Sequence, residues 1–454
     1  MHLVLINPSN PLVSLTHIKE SRWNRYRVWK PLSLMVIAGV TPPEWTVSII
    51  DENLSIPDYQ KIPRPDLVGL TAFTSQIVRA YELAEYFQDK NIPVVIGGIH
   101  ATMRTKEVER YVRCTVTGEA ENIWPQVLMD CKKGKLHRLY KGGHADLKHV
   151  PSAKQDVLTG GYALGAIQTT RGCPLNCSFC SVTAFNGAHY RQRATEDVVS
   201  EFKTIHEKKV LVVDDNMIGT KSTHIARAKE LFRALIAAKI NKEWLAQVTI
   251  NFADDEELLS LAAEAGCRGV FIGFESITAE GLSEVSKKFN ISKKRDFKDS
   301  VRRIQRHKIM VVGSFIIGLD ADGKGIGQRI AETAGHYGLD NINVLFLTPL
   351  PGTQLWDQMK ADKRIALNNY PSDWKYYTLT YPVAVYAHFS QDAVIEEMIA
   401  CDRYFYSFRQ IGRRLISSIW NKRKPFISLM GNITYRTNLS RNIKNYKDFK
   451  KRAV

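Results

Sequence analysis

The chain has 454 residues, which is long enough for two or three domains. Its composition, 44% hydrophobic and 10% aromatic, is typical of a soluble globular protein, and no segment approaches the ~18 consecutive apolar residues of a membrane-spanning helix. The net charge of +17 is uneven, because residues 403 to 454 contain fourteen Lys and Arg and a single acid, Asp448. The basic character therefore belongs to a tail and not to the body of the protein.

The first third of the chain alternates short apolar runs with helical patterns. The runs that read as buried parallel strands are Leu3 to Asn7, Val47 to Asp51, Leu67 to Phe73, Val94 to Gly98 and Cys114 to Glu119. Strands alternating with helices predict a doubly wound, Rossmann-like α/β domain over residues 1–140. The N-terminal apolar run is too short for a signal peptide and lacks a basic leader, so we expect a cytoplasmic protein with reduced cysteines.

Residues 141–165 have the composition of a linker, and a second α/β series follows them. Its predicted strands are Ala166 to Thr170, Val210 to Asn216, Leu245 to Asn251, Gly269 to Ser276, Met310 to Gly318 and Ile342 to Thr353. Six such units are too few for a closed eightfold barrel, so residues 166–365 are predicted to form a partial (β/α)6 TIM-like barrel. Residues 366–454 form a mostly helical, basic C-terminal extension.

Three of the seven cysteines, Cys173, Cys177 and Cys180, lie close together in "RGCPLNCSFC", directly after the first strand of the second series. Three thiolates on one loop can bind three irons of a [4Fe–4S] cluster, whose usual complement is four cysteines. The fourth iron is then open to chelate a substrate or cofactor. The alternatives are three unrelated thiols and a structural zinc site, although zinc prefers paired C-x₂-C units.

The segment "CPLNCSFC" closely resembles the signature of the radical S-adenosylmethionine (SAM) family, including the aromatic Phe179 before the last cysteine. The resemblance implies that the reduced cluster passes an electron to SAM, which breaks to methionine and a 5′-deoxyadenosyl radical. That radical abstracts hydrogen from an unactivated carbon. The resemblance extends from Ala166 to Thr353, but the turn "GLDADGKG" differs from the Pro-Gly-Glu-Thr turn that is common in relatives.

Polar residues at the strand ends are the candidates for binding SAM in the second series: Asp214, Asp215, Gln247, Glu275, Ser276 and Ser314. By resemblance, the aspartates would hold the amino group of SAM, and "GFES" would contact its ribose or carboxylate. The aspartates have an alternative role as helix caps, and Gln247 has one in closing a turn. Arg191 to Arg193, just past the cysteines, either bring charge to the cluster or form a solvated basic turn.

The first domain resembles the cobalamin-binding domain that precedes many radical SAM enzymes, in segments such as "VSIIDEN", "VVIGGIHAT" and "TGEAE". The candidates for contacting cobalamin are Thr71, Ser75, Gly97, Gly98 and His100. Domains that ligate cobalt through a histidine carry D-x-H-x-x-G, and the corresponding stretch here is "DENLSI". Any cobalamin is therefore expected to lack a protein imidazole. The alternative is a degenerate domain that only shapes the substrate cavity.

In the tail, apolar residues recur at helical spacing from Tyr404 to Trp420, at positions 404, 408, 411, 415 and 419. Arg409, Arg413 and Arg414 fall between them. This pattern suits either an anionic membrane surface or a helix packed on the barrel with its arginines in solvent. Nucleic acid is disfavoured as a partner because the tail matches no nucleic-acid motif.

Taken together, these features predict a radical SAM enzyme of the group that contains hopanoid methylases and the anaerobic magnesium-protoporphyrin cyclase. Its cofactors would be a [4Fe–4S] cluster, SAM and cobalamin, with an external flavodoxin- or ferredoxin-type electron donor. The leading reaction is methylation of an unactivated carbon on a lipid-like substrate. The alternatives are radical bond formation, cyclisation or rearrangement of a lipid or tetrapyrrole without methyl transfer, and a non-catalytic iron–sulfur redox or sensor protein.

Overall fold

The computed structural model of the protein describes residues 1–10, 12, 29–290, 295–420 and 425–451. Its strands are β1 (His2–Asn7), β2 (Thr46–Asp51), β3 (Leu67–Thr71), β4 (Val94–Gly97), β5 (Cys114–Thr117), β6 (Leu139–Lys141), β7 (Gly165–Ile167), β8 (Thr170–Arg171), β9 (Arg191–Gln192), β10 (Lys209–Val212), β11 (Glu243–Val248), β12 (Cys267–Glu275), β13 (Met310–Ile317) and β14 (Asn341–Phe346). Its helices are α1 (Leu32–Gly39), α2 (Ile77–Gln88), α3 (Ile99–Met103), α4 (Thr105–Val108), α5 (Trp124–Lys132), α6 (Ser181–Asn186), α7 (Thr195–Thr204), α8 (Ser222–Ala237), α9 (Glu256–Glu264), α10 (Ala279–Glu284), α11 (Phe297–Arg306), α12 (Ile326–Tyr337), α13 (Gln354–Ala361), α14 (Gln391–Phe405), α15 (Phe408–Trp420) and α16 (Pro425–Lys450).

The first sheet is parallel and has the strand order β2-β1-β3-β4-β5-β6. Alternate residues of β1 are buried on opposite faces. Leu3 and Leu5 pack in the apolar cluster that includes residues of α1 and α5, whereas Val4 and Ile6 pack with α2. The predicted doubly wound domain is confirmed, with β6 as an additional strand. Strand order reverses between β1 and β3, and such a switch point opens a crevice at the carboxyl ends of the strands.

The second sheet is also parallel, in the order β14-β13-β12-β11-β10-β7, which confirms the predicted six-stranded partial barrel. Buried residues of α7, α8, α9, α11 and α12, such as Phe202, Phe232 and Ile330, pack in one continuous core with the strands. Between β7 and β10 the chain makes a two-stranded antiparallel ribbon, β8–β9. This ribbon encloses the cysteine loop and α6, so the cysteines lie at the carboxyl end of the first barrel strand.

The stretch between the two sheets is packed against both domains. Ala145, Leu147 and Val150 form a small apolar cluster with Met35 of α1 and Ala166 of β7. The linker composition of residues 141–165 comes from its Gly, His and Lys residues, while these buried positions tie the two sheets together.

The C-terminal region contributes to the core through α16. Tyr446 of this helix packs edge-on against the ring of Tyr381, and Phe449 packs edge-on against Tyr376 and in a tilted orientation against Tyr381. The tail is therefore not a separate appendage, because its last helix buries aromatic rings against the barrel. The basic positions 422–424 and 452 lie outside the described residues. None of the described helices is both long enough and apolar enough to cross a membrane.

Candidate functional site

The cysteine loop is held in place by its backbone. Gly172 has φ +84°, and a Cβ added there would lie 2.1 Å from the carbonyl oxygen of His189, so only glycine fits before the first cysteine. Farther along the loop, the Ser178 N–H donates to the carbonyl of Val285 at 3.3 Å, and the Ser178 carbonyl accepts from Leu355 N–H at 2.9 Å. The loop is thus fixed to the segment after α10 and to the start of α13.

The three thiols form one group. Burial raises the pKa of Cys173, Cys177 and Cys180, that of Cys177 to about 12, and the proximity of Cys180 raises the pKa of the other two further. Backbone N–H groups of Val182 and Thr183 act in the opposite direction on Cys180, because they hydrogen-bond to its sulfur and favour the thiolate. Burial and the repulsion between neighbouring sulfurs both disfavour the charged thiolates, and a bound cation such as iron would stabilise them.

The described residues contain no group of three His, Cys, Asp or Glu side chains arranged around a single metal ion. A structural zinc site would need all its ligands around one ion. In a [4Fe–4S] cluster each cysteine binds a different iron, so three thiols on one loop are compatible with a cluster whose fourth iron is open.

A buried cation beside the thiols, Lys287, was not predicted from the sequence. Its Nζ lies 3.1 Å from Oε1 of Glu275, and both side chains are about nine-tenths buried. Burial by itself would lower the pKa of Lys287, but Glu275, Cys177 and Cys173 together raise it. Glu275 has φ +65° at a bulge near the end of β12, which is a strained conformation for a non-glycine residue. The structure thus places a fixed positive charge between the strand-end carboxylate and the cysteines.

The two neighbouring aspartates after β10 have different surroundings. Asp214 is fully buried, accepts hydrogen bonds from the N–H and hydroxyl of Thr169, and burial raises its pKa. Asp215 accepts from Gly172 N–H and from the amide of Asn186, both at 2.8 Å, and lines the large cavity described below. Only Asp215 is therefore positioned to contact a ligand, whereas Asp214 ties β10 to the β7–β8 segment. Neither aspartate caps a helix.

The other predicted SAM contacts are spread around the barrel. Phe179 packs against the core, and the Ser276 hydroxyl accepts from Thr278 N–H at 3.2 Å in the turn before α10. Gln247 is exposed on β11, and Ser314 is half-buried on β13 opposite Gly273 of β12. Gln247 and Ser314 alternate along their strands with residues buried under the outer helices, so they lie on the inner face of the barrel. Neither lines the large cavity.

A cavity of about 610 Å³ lies between the first sheet and the cysteine loop. Its lining from the first domain includes four predicted residues, Thr71, Ser75, Gly97 and Gly98. Its lining from the second domain comes from β8, α6 and the end of β10, for example Phe185 and Asp215. Gly98 has φ +95°, and a Cβ there would come within 2.8 Å of the Thr71 hydroxyl. The strand ends of the first domain therefore share one chamber with β8 and α6, which flank the cysteine loop in the second domain.

His100 does not reach this chamber. Its side chain is fully buried, with Nδ1 3.2 Å from the Thr74 hydroxyl and Nε2 3.4 Å from Glu107. Glu107 also accepts from the indole N–H of Trp374 at 2.8 Å, and burial lowers the pKa of His100. His100 is thus a core residue that links α3 to the C-terminal region. Among the residues that the structure describes, no histidine lines the cavity.

Two carboxylates of "TGEAE" connect the domains, which the sequence did not reveal. Arg171, two positions before Cys173, donates to Glu119 at 2.9 Å and also to Glu121. Arg191 forms an ion pair with Glu119 as well. Burial by itself would raise the pKa of Glu119, but these arginines lower it to about 2. Arg191 is therefore neither a solvated turn residue nor free to neutralise a cluster. This network fixes the cluster loop against the first domain.

Comparison with known proteins agrees with this geometry. The model of the radical SAM superfamily matches residues 167–324, and the model of the B12-binding domain matches residues 24–128. The chain is a radical SAM enzyme with a B12-binding domain. Bacteriochlorophyllide d C-12(1)-methyltransferase of Chlorobaculum tepidum is 28% identical over 85% of this chain and 84% of its own. The hopanoid C-2 methylase of Rhodopseudomonas palustris is 25% identical over 74% of this chain and 65% of its own.

Among solved structures, the radical SAM methyltransferase TsrM of Kitasatospora setae has a TM-score of 0.62, with 19% identity over 82% of this chain and 79% of its own. At this identity the likeness to TsrM establishes the fold alone. The cofactors of the present enzyme are a [4Fe–4S] cluster, SAM and cobalamin. The three-thiol loop fits the cluster, and the cavity at the strand ends of the first sheet, about 610 Å³ and lined by Gly97 and Gly98, fits cobalamin. Because the chain is a radical SAM enzyme, the alternative of a non-catalytic redox or sensor protein is set aside.

We predict that bound cobalamin has no protein imidazole on cobalt. His100→Ala should therefore leave the visible and electron paramagnetic resonance (EPR) spectra of the reconstituted enzyme unchanged, although it removes the partner of Thr74 and Glu107 and should lower the melting temperature. His17 lies outside the described residues, so His17→Ala is measured in parallel as a test of a second histidine that could supply the imidazole. An imidazole-ligated spectrum that is lost in either variant would contradict the prediction.

Proposed function

We propose that the enzyme methylates an unactivated carbon of a hydrophobic substrate. The observation that carries the proposal is the shared cavity of about 610 Å³, whose wall combines strand ends of the B12-binding domain with β8 and α6, the elements on either side of the cysteine loop. With the cofactors bound, the cluster would supply reductive cleavage of SAM, whose 5′-deoxyadenosyl radical would take a hydrogen atom from the substrate carbon, and cobalamin would supply the methyl group. The protein's own contribution is to bind, orient and shield these groups.

Each of these tasks can be assigned to particular residues. Cys173, Cys177 and Cys180 would hold the cluster, and Lys287 would hold the Glu275 carboxylate at the strand end beside it. Asp215, which already accepts from Gly172 N–H, would orient a ligand in the cavity. The buried ion pairs of Arg171 with Glu119 and Glu121 would keep the cobalamin site and the cluster site at a fixed distance from each other. This distance decides whether a methyl group can be delivered to the substrate.

The hydrophobic substrate is supported by the lining of the chamber and by the relatives. The cavity wall contains large apolar side chains such as Leu34, Trp124 and Phe185. The two curated relatives named above act, by their names, on a bacteriochlorophyllide and on a hopanoid, which are both large, largely apolar ring systems. Radical bond formation or cyclisation without methyl transfer is the second candidate, because a cyclase of magnesium-protoporphyrin IX monomethyl ester is also related in sequence.

The test uses SAM with a deuterated methyl group and the anaerobically reconstituted enzyme. We expect the label to appear in cobalamin extracted from the protein, as measured by mass spectrometry. Ser33→Trp places a large ring in the cavity wall, because Ser33 is exposed on α1 and lines the chamber. It should abolish cobalamin retention and label transfer and leave reductive SAM cleavage within a few-fold of wild type.

The matched control is Ser55→Trp, at an exposed position that is not part of the lining. This variant should retain cobalamin and transfer the label as the wild type does. Wild-type enzyme that cleaves SAM but never labels cobalamin would exclude methyl transfer and favour the second candidate. Equal loss in both Trp variants would show that the cavity is not the relevant site.

A further inference from the structure

Helix α15 has two apolar faces. One face packs against the protein through Ile411, Leu415 and the buried Ser418. The other presents four large apolar side chains to solvent, here called the α15 face: Phe408, Ile416, Ile419 and Trp420, which are 75%, 67%, 58% and 85% exposed. At 3.6 residues per turn these four positions fall within one side of the helix. Tyr404 belongs to α14, so the helical pattern predicted from Tyr404 to Trp420 spans two helices, and of its positions Ile411 and Leu415 pack inward whereas Phe408 and Ile419 are exposed.

The α15 face is surrounded by positive charge. Arg409 and Arg413 are exposed on the same side of the helix. The guanidinium of Arg436, from α16, lies 3.8 Å from the ring centroid of Phe408. Arg414, in contrast, points into the protein, where it stacks 3.9 Å from the ring of Phe405, and burial lowers its pKa to about 10. From residue 403 to the end of the sequence the only acid is Asp448.

The exposed apolar side chains and the surrounding arginines of the α15 face together favour one kind of binding partner. A second copy of the chain would bring a like-charged face against this one, which costs free energy. Nucleic acid would use aromatic rings for stacking, but Ile416 and Ile419 cannot stack on bases. An anionic lipid surface offers negative headgroups to the arginines and an apolar layer just beneath them to the aromatic and aliphatic side chains.

We propose that the α15 face docks the enzyme on anionic membranes. Phe408, Ile416, Ile419 and Trp420 enter the boundary between headgroups and acyl chains, while Arg409 and Arg413 pair with the headgroups. The helix lies in the plane of the membrane, and its inner face stays packed on α14 and α16. None of these residues lines the cofactor cavity, so the inference stands apart from the proposed function.

Sedimentation of the full-length protein with sucrose-loaded vesicles tests the proposal. Vesicles of phosphatidylcholine with phosphatidylserine should bind the wild type, and pure phosphatidylcholine should bind it at least tenfold more weakly. Raising the salt concentration should weaken binding further, because it screens exposed charge. Ile416→Ser/Trp420→Ser and Arg409→Gln/Arg413→Gln should each reduce the partition coefficient at least tenfold.

Two matched variants serve as controls. Ile56→Ser/Met129→Ser removes two exposed apolar side chains elsewhere, and Lys133→Gln/Lys135→Gln removes two exposed charges elsewhere; both should bind vesicles as the wild type does. The face variants should keep wild-type SAM cleavage in buffer, which separates this test from that of the proposed function. Equal vesicle binding by face and control variants would overturn the proposal. A wild-type dimer that the face variants convert to a monomer would also overturn it, in favour of self-association.

The buried aromatic residues of the tail rule out its deletion as a test of membrane binding. Deleting residues 403–454 would remove the fully buried Tyr406 together with Tyr446 and Phe449 from the core, so a truncated protein would unfold whether or not the tail binds lipid. Point substitutions of exposed residues avoid this problem.

Discussion

Replacing Cys173, Cys177 or Cys180 by Ala should abolish formation of 5′-deoxyadenosine from SAM under dithionite. Reconstituted wild type should contain about four irons per chain, as expected for a [4Fe–4S] cluster. Each single variant should lose the EPR signal of the reduced cluster. The physical reason is that each thiolate would bind a different iron of the cluster, so a variant with two thiolates leaves a second iron without its protein ligand and cannot retain a catalytically competent cluster.

The control for these variants is Cys131→Ala, since Cys131 is a half-buried free cysteine of α5, in the other domain. It should keep full iron content and SAM cleavage. SAM cleavage by a variant in which all three loop cysteines are Ala would refute the assignment of the cluster ligands.

The second large effect is expected at Lys287. Lys287→Met leaves the Glu275 carboxylate buried without its partner, which typically costs about 3–5 kcal/mol when a buried ion pair is broken. We therefore expect a lower melting temperature together with a loss of SAM cleavage of at least a hundredfold. Lys287→Arg keeps the positive charge and should retain most of the stability.

A double variant separates stability from chemistry. In Lys287→Met/Glu275→Leu both partners of the ion pair are replaced by apolar side chains of similar volume, which is often close to neutral for folding. This protein should recover the melting temperature of the wild type and still fail to cleave SAM. If it recovers both properties, the ion pair is purely structural and Glu275 and Lys287 play no part in the site.

Much of the architecture could be predicted from the sequence because it depends on local patterns. Buried parallel strands read as short apolar runs, and five of the six strands of the first sheet and all six of the second were predicted. The largest error in bounds is the last strand, predicted to extend to Thr353 but ending at Phe346. The exception in the first sheet is β6, Leu139–Lys141, which is only three residues long and follows a Lys-rich turn. The cysteine loop was predictable because three ligands on one loop leave a signature in the spacing itself.

The candidate site was only partly predictable, because its remaining members are brought together by the fold. The sequence could not separate Asp214 from Asp215, since neighbouring residues at a strand end point to opposite sides and the turn decides which side meets the cavity. Lys287 lies twelve positions after Glu275 with no motif between them. A buried strand-end carboxylate requires a cation, but only the tertiary structure decides which lysine or arginine supplies it.

The sequence by itself therefore determined the two α/β domains and their order and identified the three cysteines as candidate cluster ligands, because these features follow from periodicity and spacing along the chain. Tertiary structure decided which polar residues line the chamber and which face of α15 is exposed. It also decided that Glu119 and Glu121 of the first domain form ion pairs with Arg171 of the second. In α15 both sides carry apolar residues, so the amphipathic pattern alone could not identify the outer face. That choice was made by the packing of Ile411 and Ser418 against neighbouring elements, which involves contacts that are distant in the chain.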